Sequence, residues 1–175
     1  MIGLILKIDD WVFDSDMEQT MAYSAAEAAE HCACAYCRNF YIAVDAHYPN
    51  LRPFLGQFGV DIASPEEQMP YDINGKMYYD SIYMVSGKVT QEGKCAIGMD
   101  GLLIKPTTVS ETDGTNLINY NCPAPCFALD ISTVVLPWVL DEPLKETVSP
   151  ANSPSFLRRM WQRLLKKANR SDAFS

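Results

Sequence analysis

Residues 69–89 read MPYDINGKMYYDSIYMVSGKV and contain the clearest signal of β-structure in the chain. Asn74 and Gly75 form a dipeptide typical of a type I′ turn, because both residues tolerate the positive φ angles that this turn requires. The turn joins two runs rich in tyrosine and aliphatic residues, and alternate residues of the second run share one face: Met77, Tyr79, Tyr83 and Val85. The sequence therefore predicts a hairpin of two antiparallel strands, 69–73 and 76–89.

Further strands are predicted on both sides of this hairpin. Turn signals at Gly93 and at Asp100 and Gly101 separate short apolar runs, which we expect to join the same sheet. The predicted strands are 2–13, 94–99, 102–105 and 126–135, the last with Phe127, Leu129, Ile131 and Val135 on one face. We expect an antiparallel meander, in which strands that follow one another in sequence also pair in space.

Three helices are predicted before the hairpin. Residues 20–30 are rich in alanine, which loses little side-chain entropy in a helix. From Cys37 to Tyr48 the apolar residues recur at helical spacing until Pro49 ends the pattern, and a shorter helix is expected over 51–58. The sequence therefore predicts an α+β fold with these helices packed on one face of the antiparallel sheet.

The chain is predicted to consist of one folded domain and an appended helix. Residues 1–140 form the α+β domain. Residues 141–153 are rich in Glu, Pro, Ser, Thr and Asn, a composition that buries too little apolar area to fold and therefore predicts a linker. The pattern of residues 154–170 predicts an amphipathic, basic helix. A short tail, 171–175, follows this helix.

The predicted C-terminal helix is the strongest indication of an interaction. Its apolar face is flanked by cations, a pattern that suits a partner's hydrophobic groove, the acidic body of this chain or of a second copy, or an anionic membrane. We expect a protein partner or self-association before peripheral membrane contact. The candidate contact residues are Phe156, Arg158, Arg159, Met160, Trp161, Arg163 and Leu164.

Charge is distributed unevenly along the chain. Residues 1–150 contain 8 Lys and Arg against 21 Asp and Glu, whereas residues 151–175 contain 6 against 1. A phosphate backbone requires a positive field, so no nucleic-acid partner is expected for this acidic body. No apolar run reaches about 18 residues and no signal-peptide cleavage pattern is present, which predicts a cytoplasmic protein with reduced thiols.

Half of the six cysteines lie within six residues. Cys34 and Cys37 have the spacing by which a turn presents two thiolates to one zinc ion, and Cys32 or His31 can add a third ligand. The pair Cys122 and Cys126 can supply the remaining ligands of a four-ligand site, and the other candidates for them are Cys95 and His47. These five cysteines are therefore the predicted metal ligands.

Two other interpretations of the first cysteine cluster stay open. Cys37 can be a small apolar residue on the buried face of the helix, with Cys34 helping to cap the helix start. The pair can also be a redox dithiol, because a helix N-terminus stabilises thiolate, although antiparallel strands follow it instead of the expected βαβ unit. Apart from a zinc ion at these residues, no cofactor is expected.

The sequence contains no complete catalytic signature. Neither His31 nor His47 lies in a nucleophile elbow or an HExxH motif, and no glycine-rich phosphate loop is present. We therefore expect a non-catalytic protein-binding or adaptor domain whose acidic body attracts a basic partner. The alternative is a zinc- or thiol-dependent protein centred on Cys32, Cys34 and Cys37.

Four segments together resemble a family of small uncharacterised bacterial proteins. They are Cys32–Phe40, with its CxCxYCxNF pattern, Tyr48–Ile62, Tyr83–Val89 and Leu136–Leu140. The resemblance spans roughly residues 6–140 and implies an α+β fold, with no activity to transfer. Cys122, Cys126 and the basic tail depart from the family's pattern.

Overall fold

The computed structural model describes residues 3–29, 32–73, 76–108 and 122–144. Within these residues the chain forms an antiparallel sheet of seven strands and three helices, so the predicted α+β class is confirmed. The strands are β1 (Leu4–Ile8), β2 (Trp11–Ser15), β3 (Glu67–Ile73), β4 (Lys76–Gln91), β5 (Ile97–Met99), β6 (Leu102–Thr108) and β7 (Cys126–Leu136). The helices are α1 (Met17–Ala29), α2 (Ala35–His47) and α3 (Leu51–Gly56).

Strand β4 is the centre of the sheet. Its first half pairs with β3 and its last residues pair with β2 on the same edge, while β7 pairs along the opposite edge. The strand order is β1-β2-β4-β7-β6-β5, with β3 beside β4. The predicted meander is therefore wrong for β7, which lies between β4 and β6. β7 carries the longer apolar pattern and takes the central place, and the three-residue β5 is left at the edge.

The predicted hairpin is confirmed by its register. β3 and β4 pair antiparallel, and Ile73 lies opposite Lys76, so the connection between them has two residues. The turn residues themselves, 74 and 75, lie outside the described residues. Met77, Tyr79, Tyr83 and Val85 are all buried in the core, as their spacing predicted.

The predicted first strand, 2–13, is in fact two strands that pair with each other. Ile8 lies opposite Trp11, and Asp9 and Asp10 form the turn between them. Asp9 has φ of 52°, in the left-handed region that aspartate tolerates because its side chain can hydrogen-bond locally. The single-strand prediction was wrong because no glycine or asparagine marks this turn in the sequence.

A bulge in β7 changes which residues face the core. Thr133 has φ of 66°, and its N–H donates a hydrogen bond to Oδ1 of Asp80 (2.9 Å). The extra residue shifts the alternation, so Val134 and Leu136 are buried whereas Val135 lies on the other face. The prediction that Val135 faces the core was therefore wrong.

The main core lies between the sheet and helices α2 and α3. Their apolar residues belong to one cluster with the inward-facing strand residues, which confirms the predicted packing for these two helices. The prediction of a single covered face was wrong for helix α1, which packs against the other face of the sheet. Its Tyr23 lies against a second, smaller cluster that contains Met84, Cys122 and Ala128 on the other face of the sheet. The hydroxyl of Thr20 also accepts a hydrogen bond from the Ser86 N–H (3.0 Å).

The described chain ends in contact with the core. Leu144 packs against the main cluster, and the indole N–H of Trp138 donates to the carbonyl of Glu142 (2.7 Å). The rest of the predicted linker, the helix 154–170 and the tail 171–175 lie outside the described residues. Among the helices that the structure describes, none has the length and apolar composition needed to cross a membrane.

Candidate metal centre

The first cysteine cluster lies where α2 begins. Cys34 is the N-cap residue, with extended φ and ψ of −66° and 158°, and its carbonyl accepts the first helical bond from Arg38 (3.0 Å). Its side chain makes no capping hydrogen bond. Because Cys37 follows in the first turn, the helix presents both thiols at the same end, and the segment before it adds Cys32.

Three sulfur atoms come together at this point. The Sγ atoms of Cys32, Cys34 and Cys37 all lie within 4.8 Å of one another. Cys32 and Cys34 are exposed, whereas Cys37, in the first turn of α2, is buried. The group therefore has a supported side and a side that is open to solvent.

The surroundings favour a negative charge on the sulfur of Cys32. Hydrogen bonds from the backbone N–H of Cys34, and then from the thiols of Cys34 and Cys37, lower the pKa of Cys32. Burial, followed by the hydrogen bonds to its two neighbours, raises the pKa of Cys37. Burial and the adjacent Cys37 likewise raise the pKa of Tyr41. Metal ligation would relieve this competition for protons, because all three sulfurs can then be thiolates.

The donor set fits a zinc ion. Thiolate is a preferred zinc ligand, with Zn–S bonds of about 2.3 Å, and tetrahedral geometry then places sulfur atoms about 3.8 Å apart. The upper limit of 4.8 Å on the three Sγ–Sγ distances exceeds this spacing by about 1 Å. Within the described residues, no further cysteine, histidine or carboxylate joins the group.

Asn39 holds the first turns of α2 against the sheet. Its side chain is fully buried, and its amide N–H groups donate to the Tyr79 hydroxyl (3.1 Å) and the Pro137 carbonyl (3.0 Å). Its carbonyl oxygen accepts from the N–H of Val139 (2.7 Å). The Tyr79 hydroxyl in turn donates to the carbonyl of Tyr36 (3.1 Å), between two of the cysteines. The cysteine turn is therefore fixed to β4 and to the segment after β7.

Further contacts brace the same turn from outside. The Tyr36 ring packs edge-on against Trp138, with ring centres 5.8 Å apart. Arg38 forms an ion pair with Glu142. Since both partners of this ion pair are about half exposed, we assign it little stability of its own.

The other two predicted ligands do not reach this site. Cys126 pairs in register with Ser86, whereas the cysteine turn is hydrogen-bonded to Tyr79. Between these two positions β4 advances about 23 Å, at about 3.3 Å per residue. Cys122 and Cys126 also belong to the second cluster, on the opposite face of the sheet. The five cysteines therefore do not form one four-sulfur site.

The remaining candidates are placed as follows. His47 ends α2, and it lies ten residues beyond Cys37, about 15 Å along the helix axis. His31 lies outside the described residues, as do the seven interaction candidates of the C-terminal helix: Phe156, Arg158, Arg159, Met160, Trp161, Arg163 and Leu164. Their predicted roles stay predictions.

Sequence reasoning missed Asn39 and Tyr79 as supports of the site. Tyr79 was recognised only as a core residue of β4. Helical spacing gave no signal for Asn39, because the apolar face predicted for this helix did not include it: Cys37, Phe40, Tyr41, Val44 and Tyr48. A buried amide needs partners for its donors and its acceptor, but the sequence does not say which groups supply them.

Comparison of the chain with protein-family models, with curated proteins and with solved structures found no match. The resemblance to a bacterial family with the CxCxYCxNF pattern therefore stays a prediction.

Proposed function

We propose that the chain binds a zinc ion through Cys32, Cys34 and Cys37. The observation that carries the proposal is the mutual approach of the three Sγ atoms, within 4.8 Å, at the start of α2. Thiolates at a helix N-terminus also gain from the exposed N–H groups and from the positive end of the helix dipole. Both effects support a negatively charged ligand set.

Packing alone explains only one of the three thiols. Cys37 is buried and can serve as a small apolar residue, but Cys32 and Cys34 are exposed and contribute little to the core. Packing gives no reason for the two exposed sulfurs, of Cys32 and Cys34, to lie beside the buried sulfur of Cys37. A shared ligand accounts for all three positions.

A redox dithiol is the competing explanation for Cys34 and Cys37. The usual setting of such a pair is a βαβ unit with parallel strands. In the described part of the chain, every strand pairing is antiparallel and α2 leads into α3 instead of a strand. The third sulfur also favours a metal over a two-sulfur exchange reaction.

Three protein ligands leave one coordination position for water or another donor. Zinc sites with three protein ligands and a fourth exchangeable position are open sites, in contrast to closed structural sites with four. The exposure of Cys32 and Cys34 places this position on the solvent side. The proposed ion is therefore accessible to a further ligand.

The test is a zinc titration of the reduced, metal-free chain against a chromophoric chelator. We expect one tightly bound ion, and Cys32→Ser, Cys34→Ser and Cys37→Ser should each weaken the affinity about 100-fold or more, since even indirect supports of a metal site contribute 10- to 100-fold, roughly. Cys95→Ser is the matched control, because Cys95 is exposed and lies outside the group.

Equal affinities in Cys95→Ser and in the three site variants would contradict the proposal. Because Cys37 is buried, Cys37→Ala is measured beside Cys37→Ser, and circular dichroism confirms that each variant is folded. The same titration with Cu(I) separates the metals, since thiolates also bind that ion strongly. Binding of Cu(I) without zinc would keep the site and reject the assigned ion.

The protein-binding or adaptor function expected from the sequence is a separate question. It depends on the acidic body and on the helix 154–170, which lies outside the described residues. No observation of the described residues favours a particular partner. The truncation described in the Discussion tests the part that this helix plays.

A further inference from the structure

A second pair of thiols lies on the face of the sheet opposite to the main core. Cys122 is buried and packs with Met84 and Ala128, and Cys126 lies partly buried against the same cluster. The Cys126 side chain packs against the cluster that contains Cys122, and a hydrogen bond between the two side chains raises the pKa of Cys122. The two thiols therefore lie side by side, and no disulfide joins them.

The backbone around this pair is fixed at its C-terminal end. Cys126 is the first residue of β7 and pairs in register with Ser86 of β4. Next to it, the N–H of Gly87 donates to the carbonyl of Pro125 (2.7 Å). Only residues 123–125 separate the two cysteines, so a covalent bond between them closes a small ring.

We propose that Cys122 and Cys126 form a reversible dithiol site that exchanges with low-molecular-weight disulfides. The pair is independent of the proposed zinc site, from which the sheet separates it. Cys126 is the more exposed thiol and is assigned the first attack, and Cys122 is assigned the second.

The reaction balances as a two-step thiol–disulfide exchange. The Cys126 thiolate attacks one sulfur of the small disulfide, a mixed disulfide forms, and the bond that breaks releases one small thiolate. Cys122 then loses its proton and attacks the Cys126 sulfur, which forms the intramolecular disulfide and releases the second small thiolate. The two cysteines lose two electrons, and the small disulfide takes them up and leaves as two thiols.

The short ring indicates a chemical role more than a structural one. A disulfide stabilises a fold mainly by restricting the unfolded chain, and this effect grows with the length of the closed loop. A ring with three intervening residues restricts very little of the chain. Cys122 is also protected until its partner reacts, because its hydrogen bond to Cys126 and its burial raise its pKa.

The experiment equilibrates the full chain with defined mixtures of oxidised and reduced glutathione. After acid quenching and alkylation, cleavage after aromatic residues releases 121–127, which contains both cysteines and no other. We expect this peptide to lose two hydrogens reversibly as the oxidised fraction rises. Cys95→Ser should behave like the parent chain.

The two single variants should differ in a directed way. In Cys122→Ser, Cys126 should accumulate as a mixed disulfide with glutathione, because the second attack is missing. In Cys126→Ser, Cys122 should remain mostly unmodified, because it is buried. Cys122→Ala repeats the first measurement with an apolar side chain in case serine disturbs the cluster.

The proposal would be overturned if both thiols of the parent chain stayed free in mixtures that oxidise a small reference dithiol. It would also be overturned if Cys122→Ser gave no mixed disulfide at Cys126 while circular dichroism showed a folded chain. Neither result bears on the zinc titration, which is read from other cysteines.

Discussion

Asn39 is the residue on which the support of the cysteine turn depends. It is fully buried, and it joins α2 to Tyr79 and to the backbone of Pro137 and Val139. Removing the amide leaves a buried hydroxyl, a carbonyl and an N–H without this partner, and each unpaired group costs about 1–3 kcal/mol.

We expect Asn39→Ala to lower the free energy of unfolding by about 3 kcal/mol, measured as the shift of the urea midpoint. Asn50→Ala is the matched control. Asn50 also donates through its side chain, to Asp100 (2.7 Å), but the contact is exposed and its loss should cost less than about 1 kcal/mol. Equal losses in the two variants would contradict the assigned role of Asn39.

Deprotonation of Tyr79 is expected to lower the stability of the fold at alkaline pH. Burial raises the pKa of Tyr79 to about 12, although the hydrogen bond from Asn39 lowers it. The unfolded chain releases this proton near pH 10, before the folded chain does. The contribution of Tyr79 is therefore complete below pH 10 and is lost as the pH rises towards 12.

The alkaline loss assigned to Tyr79 is about 2–3 kcal/mol, at about 1.4 kcal/mol per pH unit. Tyr79→Phe should be less stable than the parent at neutral pH, because its hydrogen bonds are missing, and should lose less stability between pH 10 and 12. Urea unfolding at a series of pH values measures both. Parallel curves for the two chains would show that Tyr79 does not cause this loss.

At the scale of elements, the bulge of β7 stores backbone strain at an exposed β-branched residue. Thr133 has φ of 66°, a region that glycine adopts freely and threonine does not. We expect Thr133→Gly to raise the free energy of unfolding by about 1 kcal/mol, measured by thermal or urea unfolding. Thr107→Gly, at an exposed position of β6, should lower it. Equal destabilisation by Thr133→Gly and Thr107→Gly would show that the backbone at Thr133 is not strained.

Elements were predictable from the sequence where a local rule decides them. The hairpin of β3 and β4 follows from its turn dipeptide, and α2 follows from its apolar spacing and from Pro49. The turn at Asp9 and the bulge at Thr133 were missed. Both use left-handed backbone at residues other than glycine, and at Thr133 the conformation is accompanied by a long-range hydrogen bond to Asp80 that the local sequence does not reveal.

The candidate site was predictable in part for the same reason. The spacing of Cys34 and Cys37 at a helix start is a local feature, and it indicated the group whose three sulfurs lie together in the structure. The separation of Cys122 and Cys126 from that cluster depends on the strand order, which places β7 between β4 and β6. Long-range order of this kind has no local signal in the sequence.

At the scale of the whole molecule, the described residues bury a large apolar cluster of their own, from Trp11 to Leu136. The sequence predicts that a polar linker, 141–153, separates this body from the helix 154–170. We therefore expect a chain that ends at residue 153 to keep its urea midpoint and to remain monodisperse in size-exclusion chromatography. Aggregation or a lower midpoint would show instead that the helix 154–170 covers part of the body.

A metal site at the start of α2 can be observed directly in the absorption spectrum of the reduced chain titrated with cobalt(II), a spectroscopic substitute for zinc. Sulfur-to-cobalt charge-transfer absorption reports how many thiolates bind the ion. We expect saturation at one equivalent, an intensity typical of three thiolates, loss of intensity in Cys32→Ser and Cys34→Ser, and no change in Cys95→Ser. A spectrum without charge-transfer absorption, or one that the site variants leave unchanged, would contradict a metal site at the start of α2.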